Sequence, residues 1–285
     1  MTRNGANPFV SGDIGQVLYG TADRLTARTG ALHRAKTAGR PVAEVVADLA
    51  HAHRRELAWQ VVLDIGCGRG SSTQTLAAQL RPDLLVGVDG SSAMLAAARR
   101  RIPDTSDRTG DRPALRWAQG DFHQLPFRSG MCALAVAAFC LYHSPHPQRA
   151  IAEITRCLAP DGLAVLVTKS VDSYRHLDDL VAVAGLDRDA HTRPNLYATA
   201  HSGNLATLAA TALQVCRVEH EQHRFRFTGL RHVAEYLATS PKYQMPPALQ
   251  GQANAIEAAL IAAVPDQPVD TDSTVTYVVA RRGSR

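Results

Sequence analysis

The sequence predicts an α/β fold built on a largely parallel sheet with helices on both faces. Three observations predict it. Short unbroken apolar runs recur at residues 61–64, 84–89, 133–139 and 163–168, the pattern of strands buried on both faces. Segments with helical spacing alternate with these runs. A glycine-rich turn joins the first run to the helix behind it.

Taken in order, residues 14–55 read as two helices. Leu18, Ala22, Leu25, Thr29 and Leu32 recur at helical spacing, although Gly20 and Gly30 weaken the segment, and Pro41 opens a second helix through Val45, Val46 and Leu49. Residues 1–55 are expected to form an N-terminal helical lid ahead of a main domain at 56–285. In that domain the run 61–64 is followed by a helix at 72–80, and the run 84–89 by a helix at 92–101. The polar stretch 103–113 is a loop, 115–119 a third strand and 133–139 a fourth. A helix at 150–158 stops at Ala159-Pro-Asp-Gly162, and 163–168 is a fifth strand. Residues 170–213 read as helical and polar. Residues 214–227 end in strand-like alternation, 230–264 are helical, and 274–280 form a last strand. Cap insertions are expected at about 170–203 and 228–270.

Composition narrows the function. Of 285 residues, 45% are hydrophobic and 20% charged, which excludes disordered and low-complexity classes. No apolar run nears the roughly eighteen residues of a membrane span, and the N-terminus lacks the apolar core of a secretory signal. A cytoplasmic protein without a membrane partner is expected. The net charge is +5, but Arg99, Arg100 and Arg101 sit at a helix C-terminus and the other basic residues are scattered, which disfavours nucleic acid. The five cysteines include no C-x-x-C pair, so neither a disulfide framework nor a zinc knuckle is supported.

The turn Asp64-Ile-Gly-Cys-Gly-Arg-Gly70 carries the chemistry. Gly66, Gly68 and Gly70 let the backbone turn sharply and approach a ligand, and Asp89, ending the second strand, suits ribose hydroxyls. Two adenosine cofactors compete here. A dinucleotide calls for G-x-G-x-x-G, whereas the spacing is G-x-G-x-G and a carboxylate, Asp64, stands just ahead of it. That carboxylate is ill-suited to a pyrophosphate and compatible with a ligand carrying an ammonium and a sulfonium.

Over residues 60–169 the sequence resembles the class I S-adenosylmethionine-dependent methyltransferases, in particular the small-molecule branch that includes ubiquinone and menaquinone methyltransferases. The resemblance rests on Leu63-Asp-Ile-Gly-Cys-Gly-Arg-Gly70, Val86-Gly-Val-Asp-Gly-Ser91 with Met94-Leu95, Gly120-Asp-Phe-His-Gln-Leu-Pro-Phe127, and Leu158-Ala-Pro-Asp-Gly162. It implies a Rossmann-like seven-stranded mixed sheet ordered 3-2-1-4-5-7-6, with S-adenosylmethionine as cofactor. It further implies that Asp64 and the backbone of Gly66, Cys67, Gly68 and Gly70 hold the methionine end. Asp89 would bind the ribose, with Gly90 and Ser91 beside it. Met94 would lie against adenine, Asp121 would accept from the adenine amino group, Phe122 would flank the ring, and backbone near Ala138 would reach the ammonium. The long insertion between the last two strands departs from the family, so substrate contacts there are not carried over.

Methyl transfer from a sulfonium leaves a neutral thioether, so the protein must chiefly align donor and acceptor. A base is needed only where the nucleophile loses a proton. His143, leaving the fourth strand at the sheet's carboxyl edge, is the candidate base, with Tyr142 beside it. The alternative is that His143 only shapes the pocket. Tyr19, His143, Tyr174, Tyr197 and Tyr236 are candidate acceptor contacts, suited to a planar or amphipathic small molecule, although the tyrosines equally suit a cap core. Twelve histidines raise the question of metal, but no H-E-x-x-H motif occurs, and no metal is expected. No Asp-Pro-Pro-Tyr or Asn-Pro-Pro-Tyr run follows the fourth strand, a further argument against a nucleobase.

The expected activity is methyl transfer to an oxygen or nitrogen of a small biosynthetic or natural-product molecule, by a monomer or homodimer. C-methylation, a non-catalytic cofactor-binding module and a nicotinamide oxidoreductase are the competing readings.

Overall fold

The computed structural model describes residues 22–54, 59–102 and 113–283, and these fall into two compact units. The unit carrying the glycine turn comprises residues 40–54, 59–102, 113–169, 199–220 and 275–283; the second comprises 22–39, 170–198 and 221–274. Residues 42–53, expected within the lid, thus belong to the glycine-turn unit, because Val45, Val46, Leu49 and Ala50 are buried in the same apolar cluster as Leu76, Leu80 and Val62.

In chain order the elements are α1 (Ala22–Ala35), β1 (Lys36–Ala38), α2 (Val42–His53), β2 (Val61–Ile65), α3 (Ser71–Leu80), β3 (Leu84–Asp89), α4 (Ser92–Arg101), β4 (Ala114–Gln119), β5 (Cys132–Ala138), a 3-10 turn (Leu141–His143), α5 (Pro147–Cys157), β6 (Leu158–Lys169), α6 (Arg175–Val183), α7 (Leu205–Ala210), β7 (Gln214–Phe227), α8 (Leu230–Leu237), α9 (Ala253–Ala263) and β8 (Val269–Arg281). The α/β architecture with a mixed sheet is as expected, but the sheet has eight strands rather than seven, ordered β4-β3-β2-β5-β6-β8-β7-β1. The expected order 3-2-1-4-5-7-6 is corrected accordingly. The addition is β1, in a segment expected to be helical, which pairs antiparallel with β7 through Lys36 and Phe225. Gly39, at a φ of 98°, and Pro41 follow it, and neither residue carries a helix across that point.

Four neighbouring strands are parallel to β2 or to its partners: Val62 lies opposite Leu85 on one side and Leu134 on the other. The core strands are buried through Leu63, Ile65, Val86, Val88, Leu134 and Val136, each apolar side chain contributing about 1.5–3 kcal/mol of transfer free energy. Helix α5 begins at residue 147 rather than 150, since Pro147 suits a first turn, and it buries one stripe of Ala150, Ile151, Ile154 and Cys157. Residues 184–204, expected to be helical, are mostly turns. The second unit has its own core, in which Tyr174, Phe225, Phe227 and Tyr236 pack with ring centroids 5.3–6.0 Å apart. No described helix is long and apolar enough to cross a membrane.

The carboxyl end of β3 is shaped by a close approach. A Cβ on Gly87 would fall 2.4 Å from Cζ3 of the Trp117 ring, and the indole is fixed by its Nε1 donating to the Ile102 carbonyl at 3.2 Å. Gly87→Ala therefore overpacks this contact and is expected to destabilise the protein by about 1–3 kcal/mol, read from the midpoint of urea unfolding. An unchanged midpoint would show that the ring yields freely.

Candidate functional site

The carboxyl ends of β2, β3, β4 and β5 lie side by side, and the sequence places a turn or an acid on each. Beyond β2 the chain reverses at Gly66, Gly68 and Gly70, with φ values of 70°, 54° and 74°. These left-handed conformations favour glycine. The turn is locked to β3, since the amides of Gly66 and Cys67 both donate to the Val88 carbonyl, at 2.8 and 3.0 Å. At Gly66 a Cβ would also strike Cys140 Cβ at 2.4 Å, whereas at Gly68 it would meet nothing within 4 Å. Gly66 is thus needed for packing and Gly68 lines open space.

Two carboxylates flank this turn. Asp64, only 2% exposed, accepts a hydrogen bond from the Thr73 hydroxyl at 2.6 Å. Burial pushes its pKa up to about 6; the Thr73 hydrogen bond opposes that rise and the neighbouring Asp89 charge adds to it. Among the described residues no Lys, Arg or His forms an ion pair with it. Asp89 accepts from the amide of Gly68 at 2.8 Å through one oxygen and from that of Ser91 at 2.9 Å through the other. Burial raises its pKa, against the pull of those two amides. Each oxygen keeps a further acceptor site. The thiols of Cys67 and Cys140 are also pushed up, first by burial and then by the two acids, so neither is a thiolate.

The other sequence-derived positions fall as follows. Gly90 is exposed and Ser91 half-buried; the Ser91 hydroxyl caps α4 by accepting from the Met94 amide at 3.2 Å. Met94 is only 1% exposed in the core and offers no surface to a ligand in this conformation. Asp121 is exposed just beyond β4, and Phe122 is half-buried with its ring centroid 4.6 Å from that of His123. Ala138 ends β5. Tyr142 and His143 share the 3-10 turn beyond it, their rings 4.5 Å apart; Tyr142 is buried and His143 half-buried. The structure therefore brings Asp64, Gly66, Cys67, Gly68, Gly70, Asp89, Ser91, Asp121, Ala138, Tyr142 and His143 to one sheet edge.

Three of the cap tyrosines, Tyr174, Tyr197 and Tyr236, belong to the second unit. Tyr174 and Tyr236 belong to the buried core of the second unit, centroids 6.0 Å apart, and burial raises both hydroxyl pKa values. There they pack with Phe225 and Phe227, the cap-core arrangement that the sequence left open beside an acceptor-lining one. Tyr197 is buried as well, and Tyr19 lies outside the described residues. No group of three or more metal-binding side chains occurs among the described residues.

Several residues of this edge escape sequence reasoning. Thr73 reaches Asp64 from the first turn of α3, a contact for which only its place nine residues downstream gives a hint. Phe139 holds a φ of 58°, a conformation rare for an aromatic residue and of the kind that clusters at functional sites. The Lys169 ammonium lies 5.1 Å from the Phe139 ring centroid, a cation–π contact between strand ends with no signal in the sequence.

Residues 63–166 match the family model described as a methyltransferase domain. The chain is 29% identical over 211 residues to trans-aconitate 2-methyltransferase of Acidovorax sp. (strain JS42), covering 70% of this chain and 73% of that protein. It is 35% identical over 105 residues to trans-aconitate 2-methyltransferase of Variovorax paradoxus (strain S110), 37% of each chain. Among solved structures, a candidate methyltransferase from Bacillus halodurans C-125 is similar with a TM-score of 0.55 at 17% identity, covering 84% of this chain and 99% of that one. The [4+2]-cyclase SpnF is similar with a TM-score of 0.52 at 18% identity, covering 85% and 82%. These two structural likenesses speak to the fold.

The buried Asp64 makes stability depend on pH in a defined direction. A carboxyl whose folded pKa, about 6, lies above its ordinary value of 3.8 removes stability from the ligand-free protein as pH rises between those values. Asp64→Asn is expected to stabilise the ligand-free protein at pH 8, by a few kcal/mol at most at about 1.4 kcal/mol per pKa unit. The gain should shrink on going to pH 5. Urea unfolding of both proteins at the two pH values checks this, and a variant less stable than the parent at pH 8 would refute it.

Proposed function

We propose that this chain, a class I S-adenosylmethionine-dependent methyltransferase, methylates an oxygen or nitrogen of a small molecule by in-line displacement. The observation that carries the cofactor end of this reading is the pair Asp64 and Asp89 beside the bare glycine turn. A buried acid and a half-buried one, with no cationic side chain paired to Asp64 among the described residues, suit a ligand bearing an ammonium and a sulfonium, and repel a diphosphate. Open space at Gly68 gives the ligand backbone to rest on. Asp64 and the amides of the turn would hold the methionine end. Asp89, oriented by Gly68 and Ser91, would accept from the ribose hydroxyls. Asp121 and Phe122 would meet the adenine. Bound S-adenosylmethionine supplies an electrophilic methyl group and departs as a neutral thioether.

The remaining work is alignment, exclusion of water and, for an acceptor that must lose a proton, removal of that proton by His143. Its half-buried ring at the end of β5, backed by Tyr142, supports that role. The similarity to trans-aconitate methyltransferases makes an acidic small molecule the first acceptor class to assay, and the Lys169 ammonium over Phe139 at the same strand ends supports an anion. Scattered basic residues support a small acceptor rather than nucleic acid, and the chain is read as a cytoplasmic monomer or homodimer.

Calorimetry tests the cofactor first: S-adenosylhomocysteine should bind and NAD should not, and the reverse result would overturn the assignment. Transfer of labelled methyl groups to trans-aconitate and to hydroxyl and amine acceptors then tests turnover. With a hydroxyl or amine acceptor, His143→Ala should lower kcat by about 10²-fold or more. An unchanged rate across pH would remove His143 as the base.

A further inference from the structure

Beyond the cofactor contacts, three side chains form a continuous chain between two strand ends. The Asp121 carboxylate accepts from His123 Nδ1 at 2.8 Å, and the same oxygen accepts from the His123 amide at 2.8 Å. On the far side of the ring, Nε2 lies 2.7 Å from the Ser144 hydroxyl. That hydroxyl in turn accepts from the amide of His146 at 2.9 Å. The carboxylate can only accept, so Nδ1 carries a proton, and both ring nitrogens are engaged at once.

The arrangement has the residue types of a nucleophilic triad, but Ser144 is fully buried, with 0% exposure, and has no surface from which to attack. Its position suggests another use. Ser144 is the residue that ends the 3-10 turn bearing Tyr142 and His143, its amide donating to the Leu141 carbonyl at 3.0 Å. Asp121 begins the loop beyond β4, and that loop is anchored independently. The Leu125 amide donates to Glu153 at 2.8 Å, and Arg156 of α5 donates to the Leu125 carbonyl at 3.2 Å. One end of the chain thus rests on a pinned loop and the other on the turn that carries the candidate base.

We propose that His123 and Ser144 are positioning residues, and that the Asp121–His123–Ser144 chain transmits occupancy of the adenine end to the turn holding His143. A ligand that draws on the Asp121 carboxylate alters what that carboxylate offers to His123, and the ring passes the change to Ser144 because both of its nitrogens are engaged. This rests on the assignment of Asp121 to the cofactor's adenine. No bond to carbon is made or broken, and the reacting atoms need not touch either residue.

The test uses S-adenosylhomocysteine as the probe and the imidazole signals of histidine-labelled full-length protein, with His143 assigned from the His143→Gln spectrum. In the unmodified protein, addition of the probe should shift the signals of both His123 and His143. Ser144→Ala should bind the probe within about threefold of the parent yet lose most of the His143 shift. Two further variants cut the chain at single arms: His123→Asn keeps a nitrogen near Asp121, and His123→Gln keeps one near Ser144. Each should lose the His143 response. A His143 signal that the probe leaves unmoved in the unmodified protein, or that still moves in all three variants, overturns the proposal while the cofactor reading stands. Failure of the unmodified protein to bind the probe overturns both.

Discussion

A carboxylate buried at the end of a central strand, with no cationic side chain paired to it among the described residues, is the constraint around which the glycine-turn unit is arranged. Asp64 keeps its place because the Thr73 hydroxyl donates to it from the first turn of α3. Helix α3 can present Thr73 there only because the turn between β2 and the helix is short, and the turn is short only because Gly66, Gly68 and Gly70 take left-handed conformations. The same turn brings the Gly68 amide onto Asp89, so one stretch of backbone orients both acids. Charge of one sign is thereby gathered in a desolvated spot, at a cost that the folded chain carries until a cation arrives. Such a site is poised for a positively charged ligand.

The sequence made this part of the molecule legible because each feature is local. Strands buried on both faces leave unbroken apolar runs, and a turn that must be glycine shows as glycine. The bounds of α4 and β3 agree with the expectation residue for residue. What was not legible depends on partners distant in the chain. Nothing local distinguishes Lys36-Thr-Ala38 as a strand, since its hydrogen bonds go to β7, almost two hundred residues on. Ser144 and His123, 21 residues apart, meet only because β4 and β5 both end at the same sheet edge.

The tyrosines show a compositional signal that has two physical outlets. An aromatic side chain far from the cofactor motifs is equally suited to a ligand pocket and to a small core, and the second unit uses Tyr174 and Tyr236 for a core. It also buries charge: Asp178 accepts from Tyr243 at 3.0 Å and pairs with Lys242, and Asp187 holds Arg193 through two contacts. Fully paired networks of this kind fix one geometry at a modest net gain in stability.

Trp117 lies against both Gly87 and Gly70, whose added Cβ atoms would fall 2.4 and 2.6 Å from its ring. Its indole thus forms the floor under the last glycine of the turn, and any displacement of that turn alters the packing of a fluorescent side chain. The only other tryptophan in the sequence is Trp59. With that residue silenced, the protein carries a native optical gauge of its own glycine turn, with no dye or tag attached.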